Sequence, residues 1–178
     1  MKKCLIIIPG IPYPPVDGHK LKIYNLILIL SKYFDLHIIT ISKESLSNKQ
    51  AKFINENSYK SKHFKLNTFK SLFRLIKAVF SQIPFQVEYF TLSSIRKYIL
   101  ENSKNDEYAV LNLIRTCEYI DILKNKSIII DMVDSLSKSY LKSTETTSSL
   151  IFRLIYGIEA NRLIKYEKKC SGKNGSLS

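Results

Sequence analysis

The feature that most constrains the fold is a short apolar run near the amino terminus, Cys4 to Pro9, which is rich in β-branched residues and bounded by glycine and proline. Such a run is typical of a strand that is covered on both faces. Comparable runs recur at Asp35 to Ile41, Glu107 to Leu113 and Ser127 to Met132. The segments between them carry helical patterns, and this alternation predicts parallel strands joined by helical crossovers.

The sequence therefore predicts an α/β fold, a doubly wound, mostly parallel Rossmann-like sheet with helices on both faces. The predicted helices cover Lys20 to Tyr33, the middle of Ser42 to Asn57, a stretch from the N-cap Thr68 to Pro84, Leu92 to Asn102, Glu118 to Leu123 and Leu150 to Lys169. The first of these is apolar almost all round, so we expect it to be well buried. Lys62 to Leu66 is a further predicted strand. We expect one domain over 1–169 and a disordered tail, rich in serine, glycine and lysine, over 170–178.

Charge favours an anionic partner. The chain of 178 residues has 28 Lys and Arg against 15 Asp and Glu, a formal net charge of +13. Basic residues outnumber acidic ones nine to two between Lys43 and Lys77, and eight to three between Lys138 and Lys173. Nucleic acid, an acidic membrane surface and the phosphate groups of a substrate all fit this excess.

Several classes of protein are excluded or disfavoured. Three dispersed cysteines and three dispersed histidines form no disulfide framework and no metal-binding cluster, so we expect reduced thiols, a cytoplasmic protein and no metal. The first apolar run is too short for a signal peptide, and no run reaches the ~18 residues of a membrane span. The chain also lacks the phosphate loop, the G-x-G-x-x-G fingerprint and the G-x-S-x-G elbow, which disfavours kinase, dinucleotide-binding and hydrolase functions.

Polar residues that follow the predicted strands are the candidate site. In a parallel sheet the carboxyl ends of all strands lie on one side, and ligands bind in the crevice outside them. The residues that follow the strands are Asp17, Gly18 and His19, then Arg115, and then Asp131, Asp134 and Ser135. Each also has a structural interpretation, as a turn glycine, a residue in a first helical turn, a helix cap or a surface cation. Asp131 is the hardest to explain in this way, because a carboxylate that ends an apolar run must be paired, hydrated or functional.

Several segments resemble the amino-terminal half of GT-B-fold glycosyltransferases, with family 4, the sugar transferases of bacterial surface-polysaccharide synthesis, as the nearest group. The segments at the start of the chain are Ile8 to Pro15, Asp17-Gly18, Lys22 to Asn25 and Leu36 to Thr40. Later segments that agree are Pro84 to Phe90, Leu113 to Thr116 before Tyr119, and Ile130 to Ser137. The similarity keeps the family's order, covers about residues 4 to 169, and is most specific in the proline-rich loop.

The resemblance implies a metal-independent, retaining transfer of a hexose from a nucleotide-sugar to a lipid-linked or polysaccharide acceptor, in cell-surface polysaccharide synthesis. The nucleotide-sugar is a substrate, and no cofactor is expected. In such enzymes the amino-terminal domain holds the acceptor, and a second Rossmann-like domain holds the donor. The loop of Asp17, Gly18 and His19 would then face the donor. The expected acceptor-binding residues are Arg115, Asp131, Asp134 and Ser135. The resemblance assigns no catalytic residue.

This sequence departs from the family pattern in two places and in length. His19 stands where the family often has glycine, and Val133 stands where it often has histidine. The donor-binding domain is absent from this chain, so we expect a truncated enzyme, or a subunit that works with a separate donor-domain chain, and weak or no activity alone. The expected location is cytoplasmic, with peripheral attachment to the inner face of the cell membrane as an option.

Two other functions remain open. A noncatalytic basic module would bind an anionic membrane or, with less support, nucleic acid, and a helix after Thr68 with an aromatic stripe and basic flanks suits a membrane interface. Packing of that stripe in the core is the alternative interpretation. A glycosidase with Asp131 and Asp134 as paired carboxylates is the third candidate.

Overall fold

A computed structural model of the chain describes residues 1–67, 74, 78, 82–132 and 136–174. It contains one sheet of five parallel strands in the order β3-β2-β1-β4-β5. The strands are β1 (Lys2–Ile8), β2 (Phe34–Ser42), β3 (Lys60–Lys65), β4 (Tyr108–Asn112) and β5 (Ser127–Asp131). The α/β parallel sheet predicted from the sequence is confirmed, with each predicted strand present to within two residues at either end.

The helices lie between the strands and after the last of them. They are α1 (Gly18–Leu30), α2 (Asn48–Glu56), α3 (Phe85–Phe90), α4 (Ser93–Asn102), a 3-10 helix (Ile114–Ile122), α5 (Leu136–Thr146) and α6 (Leu150–Asn174). The helix predicted from Thr68 falls almost wholly outside the described residues. The helices α3 and α5 were not predicted, because α3 follows a proline and α5 lies in a stretch of serine, threonine and lysine, which favours caps and turns over helix interiors.

Two hydrophobic clusters cover the two faces of the sheet. Successive side chains of a strand point to opposite faces, so Leu5 and Ile7 of β1 join one cluster while Cys4, Ile6 and Ile8 join the other. The first cluster includes buried residues of α4, the 3-10 helix and α6, and the second includes those of α1 and α2. Helices therefore lie on both faces, as predicted.

Two expectations about helices are wrong in part. Helix α1 buries Ile23 and Ile27 against the sheet, but Ile29 on its other side is 53% exposed, because a helix on a sheet contacts it along one stripe only. The final helix extends through Asn174, and Cys170 is buried, so residues 170–174 of the expected tail are helical. Cys170 packs in the first cluster, which explains why the helix continues past Lys169.

Candidate functional site

The strand order defines where a ligand would bind. From β1 the chain moves outward through β2 to β3, and it then returns to place β4 on the opposite side of β1. In open α/β sheets this reversal opens a crevice outside the carboxyl ends of the two central strands, and ligands bind there. The loops that follow β1 and β4 flank this crevice, which we call the switch-point crevice.

Four side chains form one hydrogen-bonded chain at the switch-point crevice. Lys22 of α1 contacts Asp131 Oδ1 through its Nζ at 2.6 Å. Asn112, the last residue of β4, donates from Nδ2 to Asp131 Oδ2 at 3.2 Å. The orientation of this amide turns its Oδ1 toward His19, whose Nε2 donates to it at 3.1 Å. The strands β4 and β5 and the first turn of α1 are thereby joined at their polar ends.

Burial differs along this chain of four residues. Asn112 is 1% exposed, and the side chains of Asp131 and Lys22 are 15% and 45% exposed. The buried amide fixes the geometry, while the carboxylate and the ammonium group remain within reach of a ligand. Asp131 is thus paired, which satisfies a carboxylate at the end of an apolar strand, and Asn112 bridges it to His19.

The rest of the loop after β1 has a structural role in this fold. Asp17 is the N-cap of α1, and its Oδ1 accepts a hydrogen bond from the Lys20 amide at 2.7 Å. Gly18 is the first residue of the helix, and an added Cβ there would have nothing within 4 Å. Gly10 lies in the same loop, and its φ of 150° is a backbone conformation that favours glycine.

Arg115 lies apart from the chain of four residues. It has neither an ion pair nor a hydrogen bond to any residue in the described part of the chain, and its guanidinium carbon lies 5.5 Å from the centre of the Phe90 ring. Burial lowers the pKa of Arg115, because the charged guanidinium is largely removed from water. The structure therefore places Arg115 beside Phe90, three residues after the end of β4, and does not join it to Asp131.

Leu113 connects these two parts of the site. Its φ and ψ are 64° and 157°, a region that is almost restricted to glycine and costs about 1–3 kcal/mol for other residues. Its amide donates to the Asp131 carbonyl at 2.9 Å, and the 3-10 helix that carries Arg115 begins at the next residue. Strain of this kind persists where the surrounding structure holds it and is concentrated at functional sites.

Some members of the site were missed, and two expected members are not described. Asp134 and Ser135 lie outside the described residues. Asn112 gave the same signal as Asp131, a polar residue at the end of an apolar strand, and sequence reasoning overlooked it. Lys22 lies three residues after His19, which places both on one face of a helix.

Two further findings concern the described ranges only. None of the helices there is both long enough and apolar enough to cross a bilayer. Among the same residues, no three His, Cys, Asp or Glu side chains are grouped so that they could hold a metal ion.

Comparison with known proteins gives a similarity in structure but not in sequence family. No protein-family model matches the chain, and no curated protein matches it significantly. The solved structure of Phytolacca americana UGT2, complexed with UDP-2fluoro-glucose and pterostilbene, is similar over 83% of this chain, with a TM-score of 0.42 and 14% sequence identity. The chain spans 35% of the length of that protein.

Proposed function

We propose that this chain is the acceptor-binding domain of a glycosyltransferase that moves a hexose from a nucleotide-sugar to a lipid-linked or polysaccharide acceptor. The observation that carries the proposal is the hydrogen-bonded chain of Lys22, Asp131, Asn112 and His19 at the switch-point crevice. Lys22 and Asp131 lie within the segments that resemble family 4 transferases. His19 and Asn112 directly adjoin those segments.

The exposed groups of this chain suit the hydroxyl groups of a sugar. A carboxylate accepts hydrogen bonds, and the one on Asp131 is held in place by Lys22 and Asn112. In the described residues Nδ1 of His19 has no hydrogen-bond partner, since Nε2 makes the contact to Asn112. This nitrogen can exchange a proton with, or hydrogen-bond to, a bound hydroxyl group. Asp131 and His19 are therefore proposed to orient the acceptor.

Calorimetric titration tests this function. We expect a soluble short-chain polyprenyl diphosphate-linked hexose to bind, and Asp131→Asn to weaken binding about tenfold, since a hydrogen bond to a charged group contributes about 1.5–3 kcal/mol. Asp35→Asn is the matched control, because Asp35 lies at the amino end of β2 and pairs with the amino-terminal group. The proposal is wrong if the two variants bind equally or if the ligand does not bind at millimolar concentration. Micromolar binding of UDP-glucose or GDP-mannose would show that this chain holds the donor instead.

The start of α6 favours a second candidate function, attachment to an anionic membrane. Six large apolar side chains at successive or nearby positions are exposed there by 40–76%: Leu150, Ile151, Phe152, Leu154, Ile155 and Ile158. Arg153 lies within this surface, and Lys142 is exposed on the adjoining helix α5. An apolar helix face with basic neighbours suits the interface of an anionic bilayer, to which each cation near the surface adds about 1 kcal/mol.

Vesicle sedimentation separates this candidate from simple solubility effects. We expect the protein to sediment with vesicles that contain phosphatidylglycerol, less with pure phosphatidylcholine, and less with either as salt is raised. Leu154→Asp, at a position that is 67% exposed, should abolish sedimentation, whereas Ile29→Asp, at an apolar position on α1 that is 53% exposed, should not. Equal loss in both variants, or sedimentation that ignores lipid charge, would overturn the membrane candidate.

A further inference from the structure

A cavity of about 400 Å³ lies at the carboxyl end of the sheet, on the side of Arg115. Lys43 directly follows β2, and Arg115 lies three residues after β4. The strands β2 and β4 flank β1, so the two cations follow strands on either side of the central strand. The described residues that line it are Lys43, Phe85, Gln86, Tyr89, Phe90 and Arg115. We call it the Arg115 cavity.

The ionisable groups of the Arg115 cavity are unbalanced. Among its described lining residues there are two cations and no carboxylate. Glu159 contacts two of the lining residues, and its two oxygens accept hydrogen bonds from the amides of Phe85 and Gln86 at 2.9 and 3.0 Å. It therefore caps the start of α3 and makes no ion pair with Arg115. A buried, unpaired guanidinium is costly, and an anion in the cavity would remove that cost.

Two polar atoms of the lining residues are buried without a partner in the described part of the chain, Arg115 Nε and the Tyr89 hydroxyl. Buried polar groups in folded proteins are nearly always hydrogen-bonded. Two unpartnered polar atoms in one cavity therefore indicate that a ligand supplies their hydrogen-bond acceptor. Both atoms can donate, and both therefore suit an acceptor such as an oxyanion.

Aromatic rings hold the two cations in place and give the cavity an apolar wall. Arg115 lies 5.5 Å from the centre of the Phe90 ring, and Lys43 Nζ lies 5.6 Å from that of Tyr89. A third cation, Arg74, donates from Nη2 to the Tyr89 carbonyl at 3.4 Å. Ligand sites commonly combine such apolar walls with a few convergent polar groups.

We propose that the Arg115 cavity binds an oxyanion, a phosphate or a carboxylate, that is joined to an apolar or ring-shaped group. The guanidinium and the Tyr89 hydroxyl donate to the anion, and the rings of Phe85 and Phe90 contact its apolar part. This inference rests on the proposed function and adds to it the place of the acceptor's charged group, beside Arg115, while the hydroxyl groups of the acceptor lie beside Asp131.

The test uses two small probes that separate the sources of the anion, phenyl phosphate and benzoate, in calorimetric titrations of the whole chain. We expect Arg115→Met to weaken binding of the preferred probe at least tenfold, and Arg115→Lys to weaken it less, because lysine keeps the charge but loses the planar fork. Lys52→Met, which removes the same charge from an exposed position on α2, is the matched control and should leave probe binding unchanged.

Thermal unfolding distinguishes a ligand site from a structural arginine. Because Arg115 Nε is buried without a partner in the described residues, we expect Arg115→Met to raise Tm by about 2–4 °C while binding falls. Tighter binding of phenyl phosphate would identify a phosphorylated acceptor, and tighter binding of benzoate a carboxylated one. The proposal is overturned if neither probe binds at millimolar concentration or if Arg115→Met binds as the wild type does. Loss of polyprenyl-linked hexose binding in Asp131→Asn but not in Arg115→Met would refute the cavity's role and leave the proposed function standing.

Discussion

At the scale of single residues, the described part of the site shows two kinds of polar side chain. Asn112, Tyr119 and Thr116 are buried and use their polar groups on neighbours within the fold. Asp131 and Arg115 are less buried and keep capacity for a ligand. Residues of the first kind maintain the fold. We expect their substitution to lower the free energy of unfolding more than it weakens ligand binding.

Tyr119 provides a test of the first kind. Its hydroxyl donates to the Phe90 carbonyl at 2.8 Å and accepts from the Leu92 amide at 3.0 Å, and its side chain is fully buried. Tyr119→Phe leaves both backbone groups without this partner, so we expect the free energy of unfolding to fall by about 1–3 kcal/mol. Urea unfolding measures it, with Tyr33→Phe as the control at a tyrosine that is 68% exposed. An unchanged midpoint in Tyr119→Phe would contradict the hydrogen bonds described.

At the scale of elements, sequence patterns predicted the strands well and the site only in part. The strands β1, β2 and β4 are apolar runs bounded by turn residues, and their burial could be predicted from composition, whereas the edge strand β5 leaves Ile129 62% exposed. The pairing of Asp131 with Lys22 could not be predicted from the sequence, because that contact joins residues more than a hundred positions apart. Arg115 was placed correctly after β4, but its position beside Phe90 depends on α3, which follows a proline and was not predicted.

Leu113 tests the strained connection between β4 and the 3-10 helix. In most strands and helices, alanine is more stable than glycine, because glycine loses more conformational freedom on folding. At Leu113 the positive φ reverses this order, so Leu113→Gly should be more stable than Leu113→Ala by about 1 kcal/mol or more.

Thermal or urea unfolding of the two Leu113 variants makes the comparison, and both lose the same packing of a side chain that is 8% exposed. The usual order, with alanine the more stable, would show that the backbone at this position is not strained. Parallel titration with phenyl phosphate reports whether the change displaces Arg115.

At the scale of the whole molecule, the two ends of the sheet differ. The amino end has a fully buried contact between His37 Nδ1 and Asp106 at 2.8 Å, and Tyr59 and Tyr98 bond to the same pair. His37 and Asp106 are fully buried and closed to a ligand, whereas Tyr59 is 45% exposed. The carboxyl end has partly exposed polar groups at the switch point. We therefore expect ligands to bind at the carboxyl end of the sheet.

Buried tyrosines give the molecule a defined response to alkali. Burial raises the pKa of two tyrosines that are almost fully buried, Tyr119 and Tyr166, above the ordinary value of 10.0. The unfolded chain would lose these protons first, so the stability they contribute is complete below pH 10 and falls as pH rises above it. We expect cooperative unfolding above that pH, with a burst of tyrosinate absorbance at the same midpoint as the loss of circular dichroism. Gradual ionisation without unfolding would contradict their burial.

Ligand binding at the switch-point crevice can be tested by amide chemical-shift mapping of isotope-labelled protein with the polyprenyl diphosphate-linked hexose. We expect shifts at His19, Asn112, Arg115 and Asp131, abolished by Asp131→Asn, and unchanged amides at Tyr59 and Asp106. Shifts confined to the amino end, or shifts that survive Asp131→Asn unaltered, would contradict it.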